Sequence, residues 1–411
     1  MSNSKQKLRG LLLGLMCLSF VLPQPDMIYG AQENTAAAQP TPTPDPHTQA
    51  YYQAPESNSY EGWPAGPNVE AGSAVVMDLY SGAILYSKNA DAQQYPASIT
   101  KIMTTLLACE NLDMNAQMTV SEFAAFSNEP GSSSIYADMD EVFYVKQALM
   151  AVMLESANEV SVAIAEETCG SSKKFVEKMN ERARQLGCTN THFNNPNGLP
   201  DETHYTTAND MAKIARAAWY NPYFRTFTTK DLYEIPPTNK QPETRYLLNH
   251  HKMMAGRERA YEGVLGGKTG YTTAAGSTLV TFAKKNGMAV VVVVLNTVDG
   301  GYSDTAALLD YAFGSFQEIS LGFSTDPVPV VMPPSEKYIL KDGGNTYPYH
   351  ATRQYYATVP AGVTLDSLTS KKELQQNAAG APRLETSYYY GDQFVGSGYE
   401  YQRNILSDLL N

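Results

Sequence analysis

The sequence predicts a mixed α/β or α+β domain, a sheet covered by helices on both faces, followed by a small all-β domain. Three observations carry that expectation. Val290-Val291-Val292-Val293-Val294 is a strand with no polar alternation, so both of its faces must be covered. Apolar residues recur at helical spacing around residues 144–164 (Phe143, Val145, Ala148, Leu149, Val152), and helical patterns return at 174–186 and 207–219. Beyond residue 328, short alternating stretches (328–332, 355–359, 386–390) are separated by Gly and Asp, as in short strands with no helix between them.

The elements follow in order. Lys5, Lys7 and Arg9 precede an apolar run at 11–22 that is too short for a standard membrane span, so residues 1–30 read as a secretory leader cut near Gly30 or Ala31. Met16 directly before Cys17 argues against lipoprotein processing. Residues 31–70 are rich in Pro, Thr, Gln and Ala and read as a semi-extended tether. Globular structure is expected from Ala71, where 74–78 and 83–86 flank Leu79-Tyr80-Ser81-Gly82 as strand, turn and strand. Pro96 can open a helix, because its fixed φ suits the first turn and its missing N–H has no partner there. The helical region at 144–164 breaks near Glu155-Ser156-Ala157-Asn158, and Gly187 stops the helix at 174–186. Asn194-Asn195-Pro196-Asn197-Gly198-Leu199-Pro200 is a rigid turn, 277–295 a hairpin turning at Lys284-Lys285-Asn286-Gly287, and 304–313 a closing helix. The main domain is expected over 71–318 and the small β domain over 319–411.

The chain of 411 residues has room for two domains, and its net charge of −12 excludes nucleic acid as a partner, since phosphates would be repelled. Its last residues, Ile405-Leu406-Ser407-Asp408-Leu409-Leu410-Asn411, are too short to hold a membrane, so no strong membrane anchor is expected. With the leader removed, Cys109, Cys169 and Cys188 permit one disulfide, for which Cys169 and Cys188 are the candidates, and Cys109 reads as a core thiol. The six histidines form no His-Glu-x-x-His and no ligand cluster, so neither a metal nor another cofactor is expected; His250 and His251 read as loop residues.

Ser98 and Lys101 stand three apart on the Pro96 helix, among Ile99, Ile102, Met103, Leu106 and Leu107. A lysine on such an apolar helix loses hydration, its neutral form is favoured, and a neutral amine beside a hydroxyl can make that oxygen a nucleophile. The spacing alone is weak: Ser4/Lys7 and Ser171/Lys174 repeat it in a charged leader and in what reads as a solvated loop. Two further motifs follow in order, Ser156-Ala157-Asn158 and Lys268-Thr269-Gly270.

The three motifs together resemble the active-site fingerprint of penicillin-binding proteins and serine β-lactamases. The longer segments Tyr95-Pro96-Ala97-Ser98-Ile99-Thr100-Lys101-Ile102-Met103-Thr104, Asn195-Pro196-Asn197-Gly198-Leu199 and Gly267-Lys268-Thr269-Gly270-Tyr271-Thr272 are similar to those of low-molecular-mass D-Ala-D-Ala carboxypeptidases. The resemblance implies a serine β-lactamase/transpeptidase-like domain acting on peptidoglycan stem peptides that end in D-Ala-D-Ala, with β-lactams as covalent inhibitors. It implies Ser98 as nucleophile, Lys101 as its base, Ser156 as a proton relay and Asn158 as the group that holds Lys101 and the substrate amide. Lys268 would supply positive charge and Thr269 a hydrogen bond to the substrate carboxylate, on a binding strand continued by Gly270, Tyr271 and Thr272. The backbone N–H groups of Ser98 and Tyr271 would form the oxyanion hole.

The chain departs from that family in two places. Gly300-Gly301 stands before Tyr302 where members commonly carry an arginine, and no amphipathic membrane helix follows the β domain. A β-lactamase of class A would need a deacylating glutamate in a Glu-x-x-x-Asn pattern between the second and third motifs. No glutamate between Asn158 and Lys268 has that asparagine, so carboxypeptidase is expected ahead of β-lactamase, with a non-catalytic wall-binding module as the third reading.

Overall fold

Fourteen strands and nine helices are found in the described parts of the chain, residues 46–327, 350–376 and 382–401, of a computed structural model. The expected leader, Cys17, the strand at 328–332 and the tail at 405–411 lie outside the described residues. The first hairpin is β1 (Ser73–Asp78) with β2 (Ile84–Lys88). Two small ribbons follow, β3 (Gln117–Thr119) with β4 (Val142–Tyr144), and β5 (Leu232–Ile235) with β6 (Arg245–Leu248). Then β7 (Val264–Thr272), β8 (Gly276–Lys285) and β9 (Met288–Thr297) complete a five-stranded sheet in the order β2-β1-β9-β8-β7. Every pairing in it is antiparallel, which makes the domain α+β.

The helices are α1 (Pro46–Tyr52), α2 (Lys101–Asn111), α3 (Glu122–Ala125), α4 (Val145–Met150), α5 (Asn158–Cys169), α6 (Ser172–Gln185), α7 (Ala208–Trp219), α8 (Pro222–Thr228) and α9 (Tyr302–Ser315). The valine run of β9 explains their arrangement. Val291, Val293 and Leu295 enter a core with Ile102 and Leu106 of α2 and Ile214 and Ala218 of α7. Val290, Val292 and Val294 enter a second core with Leu308, Leu309 and Ala312 of α9. Successive strand residues point to opposite faces, so a run without polar alternation feeds two cores at once. Each fully buried valine contributes about 1.5–3 kcal/mol. Among the described residues no helix is long and apolar enough to cross a membrane.

The expected break at 155–158 is a π-helical turn, Ala151–Glu155, followed by Ser156 in the left-handed region at φ 61°. Three expectations change. Residues 56–70 are not tether: Trp63 is buried, its Nε1 donates to Leu85 O at 2.8 Å and its ring packs on Phe316, while the N–H groups of Glu70 and Ala71 donate to the Asp304 carboxylate. Trp63 and Val69 are the apolar anchors that a composition average hides. Ser171 caps α6 by accepting from Lys174 N, so it is not in a solvated loop. Cys169 and Cys188 form no disulfide; Cys188 Sγ instead lies 3.6 Å from Asp210 O, and burial pushes its thiol up to about 12.

After α9 the chain passes directly into β10 (Phe316–Pro327), which pairs with β11 (His350–Pro360), and a three-stranded sheet follows from β12 (Thr369–Gln376), β13 (Pro382–Tyr390) and β14 (Gln393–Tyr401). Phe316, Ala357, Val359 and Val395 share the α9-side core, and the Ser81 and Thr358 hydroxyls meet at 2.8 Å.

Candidate active site

The turn before α2 is held from three sides. Pro96 leads into a 3-10 turn, Ala97–Thr100, and α2 then begins at Lys101. Ala97 sits at φ +50°, a conformation that L residues rarely adopt and that surrounding contacts must hold. Thr278 Oγ1 on β8 donates to Pro96 O at 2.9 Å, and Thr104 Oγ1 on α2 donates to Pro196 O at 2.6 Å. Gly198, at φ +88°, touches the same turn so closely that a Cβ there would lie 1.9 Å from Ala97 O. Beneath it the buried His204 accepts from Asn194 N at Nδ1, so Nε2–H donates to Thr100 Oγ1 at 2.9 Å; burial draws this imidazole down to about 4 and keeps it neutral.

Lys101 is fully buried, and its Nζ lies 2.9 Å from Ser98 Oγ, 2.7 Å from Asn158 Oδ1 and 2.6 Å from Asn197 O. Two of these partners are carbonyl oxygens, which only accept. When the amine is neutral its two N–H groups go to them, and its lone pair is left facing the Ser98 hydroxyl. Burial holds Lys101 well below the usual lysine range, the nearby Lys268 lowers it further, and Glu159 opposes both. A buried lysine, two acceptors and one hydroxyl therefore make a base aimed at a nucleophile.

Lys268, on β7, donates from Nζ to Ser156 Oγ at 3.1 Å and to Thr269 O at 2.9 Å. Burial lowers it to about 7, against the raising effect of Glu155. Gly270 brings β7 against the nucleophile: a Cβ there would lie 2.8 Å from Ser98 N. That approach sets the Ser98 backbone N–H beside the strand carrying Thr269 and Tyr271. Tyr271 has an exposed ring, and Thr272 Oγ1 accepts from Ala275 N, shaping the β7–β8 turn. Ser98, Ser156, Asn158, Thr269, Gly270, Tyr271 and Thr272 line one cleft of about 620 Å³.

The structure thus brings together all nine residues singled out from sequence and adds others that carried no local signal. The Asn197 carbonyl completes the cage around Lys101. Glu159, buried on α5, accepts from Asn128 Nδ2, Ser134 Oγ and Ile135 N, fixing the loop that borders the cleft. Glu155 accepts from Leu248 N at 2.6 Å and His250 Nε2 at 3.1 Å, tying β6 to the Ser156 turn. Burial alone would raise Glu155; those hydrogen bonds and the charges of His250 and Lys268 bring it below the usual carboxylate range. His250 lines the cleft, whereas His251 is buried with Nε2 at 2.8 Å from Thr281 Oγ1. Gly300, in the place expected for an arginine, has no room for a side chain, because a Cβ would meet the Tyr302 ring at 2.4 Å.

A serine hydroxyl facing a buried lysine amine, with a second lysine against a second serine across the same cleft, is the arrangement of a serine–lysine acyl-transfer centre. Residues 61–299 match the Peptidase_S11 family, D-alanyl-D-alanine carboxypeptidase. The chain belongs to that family. It is 38% identical over 256 residues to D-alanyl-D-alanine carboxypeptidase DacF of Bacillus subtilis, covering 60% of this chain and 63% of that relative. It is 30% identical over 334 residues to DacA of Haemophilus influenzae, covering 78% and 79%. Penicillin binding protein 5 of Haemophilus influenzae has a similar solved structure, with TM-score 0.63, 25% identity and coverage of 82% of this chain and 97% of that one. The Streptomyces K15 DD-transpeptidase gives 0.57, 28%, and coverage of 61% and 100%.

Proposed function

We propose that the chain is a serine-type D-Ala-D-Ala carboxypeptidase that removes the terminal D-alanine from peptidoglycan stem peptides through an acyl-enzyme on Ser98. The observation that carries this reading is Lys101 Nζ held between Ser98 Oγ and two carbonyl acceptors. Ser98 Oγ attacks the carbonyl carbon between the two D-alanines and gives its proton to Lys101. The oxyanion is taken by the N–H groups of Ser98 and Tyr271. Collapse breaks the C–N bond, and the proton taken up by Lys101 passes through Ser156, whose Oγ lies against Lys268, to the departing nitrogen, which leaves Lys101 neutral. Water then attacks the ester, its proton passes to Lys101 and from there to Ser98 Oγ as the ester C–O bond breaks, which restores both groups. Asn158 holds Lys101, and Thr269 with Lys268 receives the substrate carboxylate.

Residues 71–318 are the proposed catalytic domain and 319–411 the small β domain. The substrate is a wall polymer, which supports export after removal of the leader. β-Lactams, which offer the same carbonyl chemistry, are the proposed covalent inhibitors. Mass spectrometry of the chain incubated separately with a penicillin and a D-Ala-D-Ala peptide tests the proposal. Expected are a penicilloyl adduct on Ser98 that outlasts a peptide turnover, and D-alanine release; Ser98→Ala loses both. An adduct on another serine overturns the assignment, and fast multiple-turnover penicillin hydrolysis with no adduct turns it into a β-lactamase.

A further inference from the structure

A separate cleft, of about 530 Å³, opens at the other end of the main sheet. β9 fixes its place relative to Ser98. The Thr297 end of that strand pairs with Ser277, which lines the Ser98 cleft. At the opposite end Ala289 O accepts from Leu79 N in the β1–β2 turn, whose Tyr80, Ser81 and Gly82 line the far cleft. The ten residues of β9 separate the two by about 30 Å.

The walls of the far cleft present aromatic rings on rigid mounts. On the α7 side, the Tyr220 ring is 38% exposed, and the Arg216 guanidinium lies over it at 5.6 Å. Tyr220 Oη and Arg216 Nε both donate to Leu79 O, and Arg216 Nη2 donates to Tyr80 O. On the opposite side, Phe394 of β14 is 37% exposed and packs edge-on against Tyr389 at 6.0 Å. Tyr355 and Tyr399 pack edge to face at 5.5 Å, and Tyr399 Oη donates to Glu385 Oε1 at 2.9 Å. Donors are plentiful. The bonds above use two of the five N–H groups of Arg216, and Lys213 Nζ gives two of its three to Gly187 O and Asp210 Oδ1. Lys213, Arg216 and Glu385 are the charged lining residues among the described residues, a positive balance in a chain of net charge −12.

Rings with apolar faces and polar tips, set among fixed donors and an acceptor, match a sugar, which has an apolar C–H face and a polar edge. A lipid chain or another purely apolar ligand would leave Lys213, Arg216 and Glu385 desolvated without partners. The stem peptide handled at Ser98 hangs from a glycan strand that continues on both sides of it. At about 30 Å from Ser98 that same strand is therefore present at high local concentration.

We propose that the far cleft binds the glycan strand of the wall polymer, with sugar rings laid on Tyr220 and Phe394, while Ser98 works on a stem peptide of the same strand. The choice of polymer rests on the carboxypeptidase reading above. Carboxylates of neighbouring stem peptides on the strand meet Lys213 and Arg216.

The test uses the purified full chain, soluble glycan strands carrying D-Ala-D-Ala stem peptides, the same strands stripped of peptide, and the free stem peptide. The wild type is expected to release D-alanine with a higher kcat/KM, per stem, from the strands than from the free peptide. Phe394→Ala is expected to lower that ratio about fivefold, through KM, with free-peptide turnover within about twofold of wild type. Lys213→Gln, on the other wall, repeats the test if Phe394→Ala loses free-peptide turnover. Calorimetry is expected to show stripped strands binding the wild type, undisturbed by saturating free peptide, and binding the variant about fivefold more weakly. A ratio left unchanged by the variant overturns the assignment. So does displacement of stripped strands by free peptide, which would place them in the Ser98 cleft. Stripped strands that do not bind the wild type also overturn it, and leave a polypeptide as the alternative occupant. If neither substrate releases D-alanine, the carboxypeptidase reading falls, and binding of the stripped strands still decides this proposal.

Discussion

Among the described residues two pairs of like-charged groups lie close together, one at the β7 edge of the main sheet and one where β1 meets β10, and they have opposite fates. At the β7 edge, burial lowers the affinity of both Lys101 and Lys268 for protons, and the charge of Lys268 lowers that of Lys101 further. At the joint between β1 and β10, Asp78 and Glu318 hydrogen-bond each other, an arrangement that needs a shared proton. Asp78 Oδ2 and Glu318 Oε1 find no N–H or O–H partner, while Asp78 Oδ1 accepts from Tyr80 N, Ser81 N and Ser81 Oγ. Burial first, then the Asp78 charge, push Glu318 up to about 8, against Lys284. Both pairs are moved towards neutral pH by the same physics. The lysines stand against Ser98 and Ser156 at the cleft, whereas the Ser81 hydroxyl beside Asp78 is spent as a donor to that carboxylate, so a perturbed group marks a reactive site only where a free nucleophile accompanies it.

The largest effect should come from breaking one pair and not the other. Lys101→Met is expected to slow penicillin acylation of Ser98 by about 10²–10⁴-fold, the range for loss of a general base. Glu318→Gln should leave the acylation rate within about twofold, because surface-remote changes seldom reach the chemistry. Stopped-flow or quenched labelling decides between them, and a normal rate in Lys101→Met would remove it as the base.

Next in size is the pH dependence of kcat/KM on the D-Ala-D-Ala peptide. Lys101 must be neutral to act, so the rate rises with pH through a value well below the usual lysine range. Lys268 loses its charge near 7, so carboxylate binding weakens above that pH, and the profile is expected to be a bell whose alkaline limb begins there. Glu318→Gln should not move either limb.

Melting curves sharpen the comparison through the sign of their pH dependence. Between about 7 and 10.5 the unfolded chain holds a proton on Lys268 that the native state lacks, so this group's stability penalty is full below 7 and fades as pH rises. Lys268→Met is therefore expected to stabilise most below pH 7, by about 1–4 kcal/mol. Between 4.5 and about 8 the native state holds a proton on Glu318 that the unfolded chain releases, so its contribution is full below 4.5 and lost by 8. Glu318→Gln is expected to stabilise most above pH 8, by about 1–2 kcal/mol, the smallest of these effects. Parallel pH dependences in the two variants would show that the pairs do not differ as described.

Local chemistry made much of the chain legible. The valine run of β9 announces two covered faces because strand side chains alternate, and the three motifs announce Ser98, Lys101, Ser156, Asn158 and Lys268 because acyl transfer needs those groups. The glycines of the Asn195-Pro196-Asn197-Gly198 turn and of Lys268-Thr269-Gly270 were readable as residues, but their reason was not. Gly198 and Gly270 both exist to let distant backbones reach the Ala97–Ser98 turn, from 101 and 172 positions along the chain counted from Ala97 to Gly198 and Ser98 to Gly270. Only the tertiary structure decided that an Asn197 carbonyl turns the lone pair of Lys101 towards Ser98, that Glu155 braces His250, and that Trp63 closes the second core instead of trailing in a tether. It alone joined Asp78 to Glu318. A sequence displays the groups a residue brings; how far each is desolvated, and which partner across the sheet takes its proton, depends on contacts between segments that share no local pattern.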